Sequence, residues 1–267
     1  DGFEDMIIGA PDMTTSAGSR SGESYIITGG DTFPTTGANN RISLSRALYF
    51  RGADDYDKSG ISVSRAGDVN GDGIDDLVIG AHFAGGATGS KIGETYVVFG
   101  SDSLPNSFNL GNLDGDNGFM LNGIERTDYA GAVVSYAGDI NGDNFSDIII
   151  SAYNRDVDGK NRAGEVYVIF GASSFPVSYD LENLDGRFGF TLNTKNPDYY
   201  LGRSASGCGD FNNDGIDDLI LGAPEADQSS NGNRDNGHAY VIYGHRNTTF
   251  ITPEATTLPL EVFPNPA

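Results

Sequence analysis

A run of ten residues occurs four times at a fixed distance, and this restricts the possible folds more than any other property of the chain. DGFEDMIIGA begins at Asp1, DGIDDLVIGA at Asp72, DNFSDIIISA at Asp143 and DGIDDLILGA at Asp214, so each step is 71 residues. Three other landmarks keep the phase. GESYIITG, GETYVVFG and GEVYVIFG begin at Gly22, Gly93 and Gly164, with GHAYVIYG two residues late at Gly237. The Pro of TFP, SLP and SFP falls at Pro34, Pro105 and Pro176. GFMLN and GFTLN begin at Gly118 and Gly189, with RALYFRG at Arg46 as a weaker counterpart. Repeats of this kind are supersecondary units that bury their apolar faces only by stacking on one another.

Within one unit, SGISVSRAG (59–67), DDLVIGAH (75–82), GETYVVFG (93–100) and GFMLNG (118–123) read as strands, each bounded by Gly, Asn, Asp or Pro. Four short strands per repeat is the pattern of a propeller blade. The 38 Gly, 15 Phe and 13 Tyr, with few helix-favouring runs, agree with many short strands joined by tight turns. At 267 residues the chain has room for one large all-β domain or two small ones. The expected fold is therefore all-β, a β-propeller of four-stranded blades with fewer than four repeats present. Its expected divisions are a partial blade at 1–55, blades at 56–126, 127–197 and 198–250, and a Pro- and Thr-rich linker at 251–267.

The acidic start of each repeat carries the chemistry. In Asp68-Val69-Asn70-Gly71-Asp72-Gly73-Ile74-Asp75-Asp76, side-chain oxygens fall at loop positions 1, 3, 5 and 9, and Gly occupies position 6. A hard cation such as Ca2+ takes about six to eight oxygens, so this is a suitable donor supply. Gly admits the positive φ that turns the carbonyl of position 7, here Ile74, toward an ion. The same register gives Asp139, Asn141, Asp143, the Phe145 carbonyl and Asp147, then Asp210, Asn212, Asp214, the Ile216 carbonyl and Asp218. Asn144 replaces the position-6 Gly in one loop, and Asn is the next most tolerant residue for a left-handed backbone. Only Asp1, Phe3 and Asp5 represent the first loop. The expectation is three complete Ca2+ sites and one truncated site that binds weakly or not at all.

An EF-hand or a dockerin module begins in nearly the same way, but both need an acidic residue at position 12. Ile79, Ile150 and Leu221 stand there, inside strand-like runs, so position 9 must close the site. Asp, Asn and Gly also make ordinary turns. Three loops in identical register favour the metal reading. Two carboxylates at ~4 Å repel by about 4 kcal/mol at an effective dielectric near 20, so a cation would link to folding.

The formal charge of −22 excludes a nucleic-acid backbone as partner and favours cations or basic surfaces. A single cysteine, Cys208, permits no internal disulfide. No segment approaches ~18 consecutive apolar residues, so no membrane span is expected. No signal peptide is read at the N-terminus, and a start at Asp1 reads as a piece of something longer. His82, His238 and His245 occupy unrelated repeat positions and are read as structural or surface residues. Cys208 adjoins the strand before an acid loop, where a small buried residue is expected and no basic partner is suggested.

The order G-x-S-V-x-x-x-G-D-x-N-G-D-G-x-x-D-[LI]-[VI]-[IL]-G-A resembles the FG-GAP repeat of integrin α-subunit β-propellers and their bacterial relatives, over residues 1 to 245. The resemblance implies one blade per repeat, closure with seven blades, and calcium loops joining first and second strands on one face. It implies that this chain is the C-terminal part of a wheel. It also implies a protein or glycan partner bound by loops of the opposite face. Those are the connections 83–92, 154–163 and 225–236 and the turns Asp54 to Lys58, Glu125 to Asp128 and Asn196 to Tyr199. Two features depart from the pattern. GAP stands at Gly9 to Pro11 and Gly222 to Pro224 but reads GAH at Gly80 and SAY at Ser151, and FG appears as Ser59-Gly60, Ala130-Gly131 and Leu201-Gly202. The final VFPNPA resembles the opening of C-terminal sorting domains of Bacteroidota secreted proteins. The leading functional expectation is a non-catalytic, calcium-binding module for adhesion, secreted or at the cell surface. The alternatives are a module of a secreted hydrolase or lyase, and a structural spacer.

Overall fold

The structure is a computed structural model and describes residues 3–30, 35–36, 41–42, 47–85, 92–226, 237–246 and 257–259. Asp1, most of the connections 83–92 and 225–236, and most of 251–267 lie outside the described residues. The described part is almost entirely strands and turns. The first unit holds β1 (Met6–Ala10), β2 (Glu23–Ile27), a minimal hairpin of β3 (Thr35–Thr36) and β4 (Arg41–Ile42), and β5 (Leu48–Arg51). The second holds β6 (Ser62–Gly67), β7 (Asp76–Ala81), β8 (Glu94–Val98), β9 (Ser107–Asn109) and β10 (Gly118–Asn122). The third holds β11 (Val133–Gly138), β12 (Asp147–Ala152), β13 (Glu165–Ile169), β14 (Ser178–Asp180) and β15 (Gly189–Asn193). The fourth holds β16 (Ser204–Gly209), β17 (Asp218–Ala223) and β18 (His238–Ile242), with β19 (Thr257–Pro259) beyond it.

Each unit folds as an antiparallel meander, in the order β6-β7-β8-β10 for the second and β11-β12-β13-β15 for the third. The four strands read from the sequence are these four. A fifth strand is added from outside. β9 pairs in parallel with β5 of the preceding unit, β14 with β10, and β19 with β15. A three-residue segment of each following unit therefore completes the sheet of the one before it.

Side chains alternate across these strands and supply the core between blades. Ile79, Tyr96 and Val98 pack toward the first blade's Phe50, while Val78 and Val97 pack with Ile148, Ile150 and Tyr167 of the third. Ile149, Val166 and Val168 meet Leu219, Leu221 and Tyr240 of the fourth. Burial of β8 and β13 is complete at all five positions, as expected for a strand covered on both faces.

The signature glycines mark where blades touch. A Cβ on Gly80 would lie 1.9 Å from the Gly131 carbonyl oxygen of the next blade, so no side chain fits. Gly9 meets Gly60 in the same way. Ser151 occupies the equivalent place in the third blade, and its hydroxyl donates to the Gly202 carbonyl at 2.7 Å. The SAY departure thus substitutes a hydrogen bond for close backbone contact.

One expectation fails here. Cys208 is exposed rather than buried. Its counterparts Ala66 and Ala137 are buried because a following blade covers them, and no described blade follows the fourth.

Candidate metal centre

The three acid loops connect β6 to β7, β11 to β12 and β16 to β17, all at the same end of their blades. Successive loops bond directly to one another. The Ser146 amide donates to the Asp68 carbonyl at 2.9 Å, Ala172 to Val69 at 3.0 Å and His245 to Ile140 at 2.9 Å. The loops consequently form a row along one face.

Within each loop the first Asp organises the backbone. Asp68 Oδ1 accepts from the amides of Gly71 and Asp72 at 2.7 and 3.0 Å, and Oδ2 from Gly73 at 2.9 Å. Asp139 accepts from Gly142, Asp143 and Asn144 with the same atoms, and Asp210 from Asp214 and Gly215. Position 5 caps position 7, with Asp72 accepting from Ile74, Asp143 from Phe145 and Asp214 from Ile216. The position-3 amides Asn70, Asn141 and Asn212 each donate to the position-5 carboxylate at 2.8–2.9 Å. The positive φ expected at position 6 is present in Gly73 at 88°, Asn144 at 71° and Gly215 at 85°. A second left-handed residue at position 4 (Gly71, Gly142 and Asn213) was not anticipated, although its Gly/Gly/Asn series in the sequence carries the same signal.

Position 9 plays a double role. Asp76 Oδ2 accepts from Val69 and Oδ1 from Gly100, which ends the third strand. Asp147 holds Ile140 and Gly171, and Asp218 holds Phe211 and Gly244, through the same atoms. Asp5 keeps half of this arrangement, accepting from Gly29 at 2.8 Å, while Phe3 is exposed. Asp76, Asp147 and Asp218 are fully buried. Burial, reinforced by Asp72 and Asp68 and opposed by the two amides, pushes the Asp76 carboxyl up to about 6. Burial, then the charges of Asp143 and Asp139, raises Asp147 well above the usual carboxylate range. Among the described residues, however, no three His, Cys, Asp or Glu side chains converge tightly enough to form a ready metal cage. The donor set is all oxygen, and each hydrogen-bonded carboxylate oxygen retains a further lone pair, so the residues present fit a hard cation. The position-12 residues Ile79, Ile150 and Leu221 lie fully buried within strands.

At the other end of the blades two networks appear that sequence reasoning did not reach. Tyr25, Tyr96 and Tyr167 donate their hydroxyls to Glu23, Glu94 and Glu165, two residues earlier on the same strand face. Burial first, and the neighbouring carboxylate second, hold all three phenols protonated. The repeated Glu-x-Tyr at period 2 was the available signal. Arg155 then bridges Asp128 at 2.6 Å and Glu165 at 2.7 Å in the third blade.

The second network is a chain of half-buried rings. Phe83 lies 5.8 Å from Tyr129, Tyr129 5.9 Å from Tyr153, and Tyr153 6.5 Å from Tyr200. Arg203 sits 4.5 Å over Tyr153. Lys58, Tyr129 and Tyr200 are equivalent residues and all adopt positive φ, which is uncommon for such side chains. Among the histidines, His82 lies within this chain beside Phe83 and Tyr129, and burial, followed by the charge of Lys58, pushes it down to about 4. Burial, then Asp218 and Asp217, raises the Cys208 thiol, away from a reactive thiolate.

Comparison with known proteins joins these features. The FG-GAP repeat family matches residues 59–98, 130–169 and 201–242. Integrin alpha-5 of Xenopus laevis is 31% identical over 183 residues, covering 67% of this chain and 16% of the integrin. Integrin alpha pat-2 of Caenorhabditis elegans is 30% identical over 203 residues, 73% of this chain and 15% of the relative. A phosphatidylinositol-glycan-specific phospholipase D of Dictyostelium discoideum is 35% identical over 126 residues, 41% of this chain and 12% of the enzyme. The chain thus spans less than a fifth of the length of these relatives. The matched segments run from the signature glycine to the third strand in three successive blades, and the chain belongs to the FG-GAP repeat family as a partial, integrin α-like β-propeller.

Proposed function

We propose that the chain is a non-catalytic, calcium-stabilised binding module of extracellular adhesion type. The observation that carries this reading is the hydrogen-bonded frame shared by three all-oxygen loops set in a row. Bound Ca2+ supplies positive charge that offsets the mutual repulsion of clustered carboxylates. Asp68, Asn70, Asp72, Asp76 and the Ile74 carbonyl would hold it in the second blade. Asp139, Asn141, Asp143, Asp147 and the Phe145 carbonyl would do so in the third, and Asp210, Asn212, Asp214, Asp218 and the Ile216 carbonyl in the fourth. Position 1 pre-shapes the backbone and position 9 ties the loop to the third strand, so a cation there stiffens the blade.

The integrin relatives support extracellular or surface placement and a protein ligand, and a glycan is the other ligand class in this proposal. The ring chain and the left-handed turns support the face opposite the acid loops as the place for it, since strained residues gather at binding sites. Melting the protein with Ca2+ and with a chelator, alongside calorimetric titration, tests the metal. The expected result is a higher Tm with Ca2+ and up to three binding events; identical curves with no heat of binding would remove it. A screen against glycans and matrix proteins tests the ligand, and a spacer would bind none. The phospholipase match favours a second reading, an accessory module of a secreted hydrolase, which a phosphodiesterase assay on the full-length protein decides.

A further inference from the structure

We propose that the three acid loops of the second, third and fourth blades order as one unit, the state of each loop being felt in the adjoining one through a continuous relay of hydrogen bonds. Its consequence for cations, that occupation of one loop favours occupation of the next, rests on the calcium reading above. The relay itself does not.

The relay begins at position 9 of the fourth blade. Asp218 Oδ1 accepts from the Gly244 amide at 2.8 Å, and the next amide along, His245, donates at 2.9 Å to the carbonyl of Ile140, position 2 of the third-blade loop. The Ile140 amide donates to Asp147 Oδ2 at 2.9 Å, and Asp147 Oδ1 accepts from Gly171 at 2.9 Å. From there the Ala172 amide donates to the carbonyl of Val69, position 2 of the second-blade loop, at 3.0 Å. The Val69 amide donates to Asp76 Oδ2 and the Gly100 amide to Asp76 Oδ1, both at 2.8 Å. Carboxylate and peptide unit thus alternate from the fourth blade to the second. All three carboxylates are fully buried, so a bond lost along the relay leaves a buried acceptor unsatisfied.

A second tie joins position 8 of one loop to position 1 of the loop before. Ser146 donates its amide to the Asp68 carbonyl at 2.9 Å, and Asp217 donates its amide to the Asp139 carbonyl at 3.3 Å. Asp217 adds its carboxylate, whose Oδ2 accepts from the Asp139 amide at 3.0 Å. The link between the fourth and third loops is therefore the stronger of the two. Asp68 and Asp139 hold the backbone of their own loops, so the tie reaches the loop centre. Closing one loop fixes peptide units of its neighbour in advance, which leaves the neighbour less entropy to lose on closing. The coupling runs in both directions. For cations, charge opposes it, since one ion weakens the pull of the row on the next, but this acts only within ~8 Å at physiological salt.

The test loosens the fourth loop and reads the third by hydrogen exchange on the whole chain, first in chelator. Gly215 has a φ of 85°, where a Cβ is strained, so Gly215→Ala loosens its loop without changing charge. Gly215→Asn is the control, because the third loop carries Asn144 at the same place with a φ of 71°. Gly215→Ala should speed exchange of the Gly142, Asp143 and Asn144 amides roughly fivefold and that of Gly71, Asp72 and Gly73 less, while Gly215→Asn leaves them nearly unchanged. Asn213→Ala, also at positive φ, is the milder lesion if the β17 amides speed up as well. Asp217→Ala and His245→Pro each cut one tie and should shrink the effect of Gly215→Ala on the third loop; Asp217→Asn keeps an acceptor and should preserve it. Ca2+ added to the unmodified chain in about 1 M salt, where charge reaches only ~3 Å, should protect the three loops at a shared midpoint. Third-loop rates that ignore both lesions overturn the proposal. So do effects that are the same with and without the ties, and calcium midpoints that are independent of one another. Absence of calcium protection in every loop removes the calcium reading, and the rates in chelator still decide the relay.

Discussion

The third blade lies between two neighbours and the fourth has one described neighbour, and equivalent residues record the difference. Ile149 is fully buried while Ile220 is 41% exposed, although both sit at the same place in the second strand. Glu165 is bridged to Asp128 by Arg155. The fourth blade has His238 in place of that glutamate and Ala226 in place of the arginine. The blade motif is nearly unchanged between them, so burial is set by the neighbour rather than by the repeat.

The largest expected effect of breaking this contrast is Arg155→Ala. It leaves two buried carboxylates without their guanidinium and should cost about 3–5 kcal/mol in urea unfolding. Ala226, which makes the same backbone turn, shows that the fold itself does not need the arginine. Next is the pair Ile149→Ala and Ile220→Ala. The first should cost about 2–5 kcal/mol and the second less than about 1, and equal costs would mean that the fourth blade is covered in solution.

Asp57 sharpens the contrast through pH. It is equivalent to Asp128, but Ala84 stands where Arg155 would reach it. Burial first, then Glu94, Asp54 and Asp55, push its carboxyl up to about 7, against the hydrogen bond from the Asp54 amide. A carboxyl raised in the folded state favours folding while protonated. Its contribution is complete below about pH 4 and is lost as pH rises to about 7. Asp57→Asn should flatten that stretch of the stability profile by roughly 1–3 kcal/mol, and an unchanged profile would show that Asp57 ionises normally. The smallest effect is Ser151→Ala, which removes the hydroxyl bond to the Gly202 carbonyl and should cost about 0.5–1.5 kcal/mol by thermal melting.

The sequence was most readable where local chemistry and repetition coincide. The strands from 59 to 123, the left-handed position 6 and the buried strand at position 12 all follow from residue type and spacing. β9 and β14 were not legible, because Ser107–Asn109 and Ser178–Asp180 are three residues long and pair with a strand of another repeat. No period within one repeat reports such a partner. Arg155 was hidden for a related reason: its partners Asp128 and Glu165 are far apart in the chain, and no other repeat carries an arginine there. Cys208 was misread because the repeat implies a following neighbour that the described chain does not provide.

The parallel strands β9, β14 and β19 also bear on tension. Each is a buckle sewn to one blade and fastened on the previous one, with three residue pairs in its ladder. A pull on the chain from its C-terminal side meets the β19 buckle before it reaches β15, and then β14 before β10. Force would open the row of blades one clasp at a time, each blade shielding the next, instead of loading every sheet at once.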